Sequence, residues 1–162
     1  MYSNILVPTD GSNTADQGLR EAIKLAKALG SRIRLIHITN ELDGVPADLH
    51  GFDIRSVAPR LRHEAEALLG RAQERVRAEK IEVDTRSVEA WGGQAGDEVV
   101  RHAKEWPADL IVCGTHGRRG IRRVLMGSDA ELMVRHSPVP VLLVRELHYA
   151  RRSNGPEPDV GR

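Results

Sequence analysis

At 162 residues the chain has room for one domain and one core. Its 24 basic and 23 acidic residues nearly cancel, so the fold as a whole offers no field to attract nucleic acid or a membrane surface. No apolar run approaches the roughly 20 residues that cross a bilayer. The opening MYSNILVPTD turns polar too soon for a signal peptide, and the single Cys113 rules out an intrachain disulfide and suits a reducing compartment, so the cytoplasm is the expected location.

In chain order, residues 4–7 form a short apolar run that reads as a strand, broken by Pro8-Thr9-Asp10-Gly11-Ser12. Ser12 or Asn13 suits the N-cap of a first helix. Ala15, Leu19, Ala22, Ile23, Ala26 and Leu29 then recur at steps of three and four, a stripe made to pack on a sheet, and Gly30 ends it. Ile33, Leu35, Ile36 and Ile38 read as a second, buried parallel strand. Residues 39–56, with Gly44, Pro46 and Gly51, read as a loop longer than compact domains commonly carry, which suggests a flap or a partner-binding segment.

Pro59 suits the first turn of a second helix, whose apolar face is Leu61, Ala65, Leu68, Leu69, Ala72 and Val76. Ile81, Val83 and Val88 read as strand three. Gly92-Gly93 precede a third helix with Val99, Val100 and Ala103 inward, ended by Pro107. Residues 110–113 read as strand four, a fourth helix begins near Ser128, and residues 141–144 read as strand five. Five alternations of strand and helix argue for an α/β fold, a parallel sheet covered on both faces. One domain over residues 1–148 is expected, with 149–162 as a polar, disordered tail.

The stretch from Ile111 to Arg145 carries the chemistry. Gly114, Gly117 and Gly127-Ser128 are spaced as G-x-x-G, nine residues, then G-S, between an apolar strand and a helix start. Such a junction exposes backbone N–H groups to an anion, usually phosphate. Neither the P-loop nor the dinucleotide glycine pattern occurs. Together with ILVPTDGS, LIHI, DLIVCGTHG and GSDAELMVRHSPVPVLLV, the spacing resembles the ATP-binding subclass of the universal stress protein family, over almost the whole chain.

That resemblance implies a single-domain open five-stranded parallel sheet of order 3-2-1-4-5, like that of adenine nucleotide alpha hydrolases. Ligands of such sheets bind beyond the carboxyl ends of strands where the order reverses, here between strands one and four. The resemblance places ATP there, with Asp10 on the nucleotide, Ile38 giving its backbone to the adenine edge, and Pro8, Thr9 and Cys113 beside it. Gly114 and Gly117 let the backbone approach phosphate, and Gly127 and Ser128 bind the same anion.

Each of these residues also has a plainer job open to it. Asp10 suits the start of helix one. Ser128-x-x-Glu131 is a capping box, compatible with a ligand contact because a hydroxyl both accepts and donates. Cys113 is at home as a buried strand thiol. Arg118, Arg119, Arg122 and Arg123 read as a solvated loop from which Arg118 and Arg119 reach the β- or γ-phosphate and offset Asp129 and Glu131. Mg²⁺ or Mn²⁺ is expected with the triphosphate, given Asp10 and Asp129 nearby, though no ligand set can be named. Asp48, His50 and Asp53 are a weak metal pattern. His116 has no partner that would make it catalytic, and His37 reads as strand packing.

Three functions compete. A regulatory or stress-associated nucleotide-binding protein leads. A slow ATP hydrolase lacks a recognisable base, and no adenylyl-transfer signature (HxGH or SGGxDS) is present. A protein-interaction module with a vestigial site conflicts with the intact glycines and Ser128. With Trp91 and Trp106 among only five aromatic residues, stacking platforms for nucleic acid are wanting. Val141, Leu142, Leu143 and Val144 would form an apolar sheet edge after Pro138 and Pro140. The resemblance implies antiparallel pairing of this strand in a homodimer.

Overall fold

The structure, a computed structural model, describes residues 2–40, 54–90, 93–115 and 126–145. Strands β1 (Asn4–Pro8), β2 (Arg32–Asn40), β3 (Val83–Ala90), β4 (Leu110–Gly114) and β5 (Val141–Val144) alternate with helices α1 (Asn13–Leu29), α2 (Ile54–Ala78), α3 (Ala95–Glu105) and α4 (Ser128–His136). All strand pairings are parallel and the sheet order is β3-β2-β1-β4-β5. β1 therefore lies between β2 and β4, and the order reverses there as expected.

The period-two alternation of the strands divides the core into two layers. Ile5, Val7, Ile33, Leu35, Leu110 and Val112 point to one face and pack with Leu19, Ala22 and Ala26 of α1 and Leu69, Ala72 and Val76 of α2. Leu6, Ile36, Val88, Ile111 and Cys113 point to the other and pack with Val99, Val100 and Ala103 of α3 and Met133 of α4. α1 is also tied at its surface to α2 by the Arg75–Asp16 ion pair and to the turn just after α2 by Lys27–Glu79. Trp106, which caps the C-terminus of α3, is buried against the guanidinium groups of Arg32 and Arg34. It has no face free for a nucleic-acid base; Trp91 lies outside the described residues.

Two boundaries differ from the sequence reading. The expected loop 39–56 is shorter, because β2 runs to Asn40, paired with Ala90, and α2 already begins at Ile54. Pro59 consequently sits inside α2, in its second turn, at an exposed position. The connection 41–53, with Asp48, His50 and Asp53, falls outside the described residues, as does the tail 149–162. Among the described residues no helix is long and apolar enough to cross a membrane.

Candidate functional site

The carboxyl ends of β1 and β4 bring two loops to the same end of the sheet. On the β1 side the chain is strapped to β2. The Thr9 N–H donates to the Ile36 carbonyl at 2.9 Å, and the buried His37 Nδ1 donates to the Thr9 carbonyl at 2.7 Å. A carbonyl only accepts, so Nδ1 carries the proton. His37 is thus more than packing: it holds the turn that presents Asp10. Asp10 Oδ1 accepts the Ser12 N–H at 2.9 Å, and Ser12 in turn caps α1 by accepting from the Ala15 N–H at 3.2 Å. The carboxylate accordingly sits at the positive end of α1.

On the β4 side, Thr115 follows Gly114 and is buried. Its N–H donates to the Val144 carbonyl at 3.0 Å and its own carbonyl accepts the Gly127 N–H at 2.8 Å. The glycine-arginine loop therefore leaves and re-enters the fold at one pinned pair, Thr115 and Gly127. Sequence reasoning passed over Thr115, because nothing in one sequence marks a residue whose role is to close a segment of eleven residues. Gly117, Arg118, Arg119, His116, Arg122 and Arg123 lie between them, outside the described residues.

Two expectations at the start of α4 need correcting. Gly127, not Ser128, is the N-cap: the Glu131 N–H donates to the Gly127 carbonyl at 2.9 Å, and the cap makes no side-chain bond. The Ser128-x-x-Glu131 pattern does not form a capping box because Ser128 is already the first helical residue. Nor does Gly127 offer its N–H to an anion, since Thr115 takes it. What remains are the N–H groups of Ser128, Asp129 and Ala130, which have no intrahelical acceptor by helix geometry, and the exposed Ser128 side chain.

Gly114 also has a second explanation. A Cβ built there would fall 2.6 Å from the carbonyl carbon of Thr14 and 2.9 Å from its Cβ. Gly18, one helical turn on, meets the Gly114 backbone in the same contact. Gly114 is required by the fold, as the place where α1 lies on β4. The Cys113 side chain is 2% exposed within the second core layer, and burial pushes its thiol up to about 12. It is a neutral core thiol. Ile38 is half-buried, with its side chain against the same layer. Pro8 is half-buried opposite Ile36.

Asp129 turns away from the role assumed for it. Its Oδ1 accepts the Gly96 N–H of α3 at 2.9 Å, which ties the starts of α3 and α4 together. Among the described residues no three His, Cys, Asp or Glu side chains are grouped to hold a metal. A depression of about 510 Å³ lies at the opposite end of the sheet, lined by Asn4, Lys27, Arg32, Glu79, Lys80 and Glu82 among others. Its charges are of both signs and the Lys27–Glu79 pair closes across it.

The comparisons agree with this architecture. The model of the universal stress protein family matches residues 1–145. A universal stress protein of Methanocaldococcus jannaschii is 29% identical over 148 residues, covering 90% of this chain and 84% of its own. A member of the family from Burkholderia pseudomallei superposes with a TM-score of 0.70 at 29% identity, over 88% of this chain and 96% of that one. The universal stress protein of Archaeoglobus fulgidus in complex with dAMP gives 0.64 at 26% identity, over 88% and 98%. Another universal stress protein, in complex with cAMP, gives 0.64 at 26%, over 89% and 97%. With sheet order, strand register and family match spanning the same residues, the chain belongs to the universal stress protein family.

Proposed function

We propose that this chain is a regulatory adenine-nucleotide-binding protein that holds ATP in the crevice between β1 and β4. The observation that carries the reading is the pairing of complementary groups at one end of the sheet. Asp10, a carboxylate suited to ribose hydroxyls, stands on one side, and the first amides of α4, which helix geometry leaves without an intrahelical acceptor, stand on the other with the exposed Ser128 hydroxyl. Relatives in complex with dAMP and cAMP support an adenine nucleotide as the class of ligand.

In this reading Pro8, Thr9 and the backbones of Ile38, Cys113 and Gly114 border the base and ribose. Ser128 and the first amides of α4 take the phosphates, and Gly117, Arg118 and Arg119 close over the β- and γ-phosphates. Gly127 acts through its position, holding the loop to Thr115. Mg²⁺ or Mn²⁺ accompanies the triphosphate through its own oxygens. The protein works as a homodimer through Val141, Leu142, Leu143 and Val144, in the cytoplasm, with a protein partner engaging the segment 39–56.

The test is to purify the protein natively, denature it, identify the released nucleotide, and follow labelled ATP for hours. Bound adenine nucleotide with negligible turnover supports the reading. Turnover above an Asp10→Ala control makes the protein a slow hydrolase instead. No nucleotide and no turnover leaves an interaction module with a vestigial site.

A further inference from the structure

Two helices begin side by side at this end of the fold. Each N-terminus carries roughly half a positive charge, so their approach is electrostatically unfavourable unless an anion lies between them. Neither helix caps itself with a side chain: Gln94 before α3 and Gly127 before α4 make no such bond. Instead the Asp129 carboxylate, in the first turn of α4, accepts the Gly96 N–H in the first turn of α3 at 2.9 Å. The approach is close enough to require glycine. A Cβ at residue 96 would lie 2.8 Å from the Asp129 carbonyl oxygen, 3.2 Å from its Cα and 3.3 Å from Leu132 Cβ. Backbone and Cβ atoms cannot rotate away, so this contact sets where α4 starts.

We propose that Asp129 is a positioning residue for the phosphate-binding end of the crevice: by accepting the Gly96 N–H, it clamps the first turn of α4 to that of α3 and aims the amides of residues 128–130 at the anion. α4 has only nine residues and few other anchors at its start, chiefly the Thr115–Gly127 bond and the burial of Ala130 and Met133. Its first turn is therefore free to tilt without the clamp. The carboxylate, which would otherwise repel phosphate, is already engaged by α3, and its charge is offset there. This inference rests on reading the start of α4 as a phosphate site.

The experiment compares Asp129→Asn, Asp129→Ala and Gly96→Ala in the full chain. Asn keeps an oxygen that accepts the Gly96 N–H and removes the charge; Ala removes both. Calorimetric titration with ATP and with adenosine is paired with amide hydrogen exchange over residues 95–100 and 128–132. The expected result is near wild-type ATP affinity for Asp129→Asn and about a tenfold loss for Asp129→Ala. Gly96→Ala falls in the same direction. Adenosine affinity is unchanged throughout, since only the phosphate end is disturbed, and exchange at the start of α4 accelerates in the Ala variants alone.

Equal ATP affinity for Asp129→Ala and wild type overturns the proposal, as does an adenosine loss matching that for ATP. Should the wild-type protein bind no ATP, the functional reading fails, and the exchange data still decide the clamp. Acceleration in Asp129→Ala without acceleration in Asp129→Asn supports it, and identical exchange in all three proteins overturns it.

Discussion

Gly114 and Thr14 meet more closely than any side chain would allow: a Cβ on Gly114 would stand 2.6 Å from the Thr14 carbonyl carbon and 2.7 Å from its oxygen. The contact joins the end of β4 to the first turn of α1, the two elements that flank the crevice. Gly114→Ala should therefore behave first as an overpacking mutation, costing about 1–3 kcal/mol in stability. Chemical denaturation measures it. A variant as stable as wild type, with only its nucleotide affinity reduced, would return Gly114 to the simpler role of letting a phosphate approach.

Ser128 should show the reverse balance. Because Gly127 occupies the cap and makes no side-chain bond, the Ser128 hydroxyl contributes little to α4. Ser128→Ala should change stability by less than about 0.5 kcal/mol, the usual range for exposed positions without a special role. Its affinity for ATP should fall several-fold, with adenosine unaffected. Had the serine been the cap, the same substitution would cost about 1 kcal/mol or more, so a clear drop in denaturation midpoint counts against the arrangement seen here.

The contrast between these two residues shows how far one sequence reaches. The stripe of Leu19, Ala22 and Ala26 and the apolar strands Ile33–Ile36 announce their partners through periodicity, and each is buried where that periodicity places it. The strand order that sets β1 between β2 and β4 follows from the family resemblance and is present. Contacts between distant residues left no such trace. Ser-x-x-Glu satisfies a capping pattern, yet the Thr115–Gly127 bond sets the helix start one residue earlier. Gly114 was legible as a glycine needed at that point, while its reason, Thr14, lies a hundred residues away. Gly96 and Asp129 carry no local signal at all, since each is an ordinary residue for the first turn of a helix.

Arg118 and Arg119 belong to the loop whose ends are held at Thr115 and Gly127. If they close over the outer phosphates, Arg118→Ala combined with Arg119→Ala should weaken ATP more than AMP, by about tenfold or more, as expected for lost charge-assisted bonds. Titration of both nucleotides against the double variant reads this directly. Equal affinities for both nucleotides before and after substitution would make these arginines a solvated surface.

Leu142 is the natural probe of the β5 edge. β5 pairs with β4 on one side, and Leu142 is 37% exposed, among the few large apolar residues so displayed. Leu143 packs into the core layer of α3 and α4, so charging it would confuse folding with assembly. Leu142→Lys should convert a dimer to a monomer in light scattering, with the far-ultraviolet spectrum of the wild type retained. A wild-type protein that is itself monomeric at micromolar concentration would remove β5 as the dimer edge.

His102 gives the fold a dependence on pH that is separable from nucleotide. It lies on α3 at 6% exposure, with the Arg101 guanidinium donating to Nε2 at 3.1 Å, so the ring is held neutral with its proton on Nδ1, facing Glu105 at 3.4 Å. Burial lowers its pKa from the ordinary 6.5, and the positive charges of Arg101 and Arg86 add to this, against partial support from Glu105 and Glu98. A histidine harder to protonate in the native state binds its proton preferentially when unfolded. Its contribution is therefore complete above pH 6.5 and is lost as pH falls from there through the lowered native value. Thermal unfolding of wild type at pH 7.5 and 5.5, beside His102→Gln, isolates the effect, since glutamine has no such proton to gain. The wild-type midpoint should drop further on acidification than that of the variant. Equal drops would mean that the ring takes up its proton in the native state as readily as in the unfolded chain, and the neutral arrangement with Arg101 would be wrong.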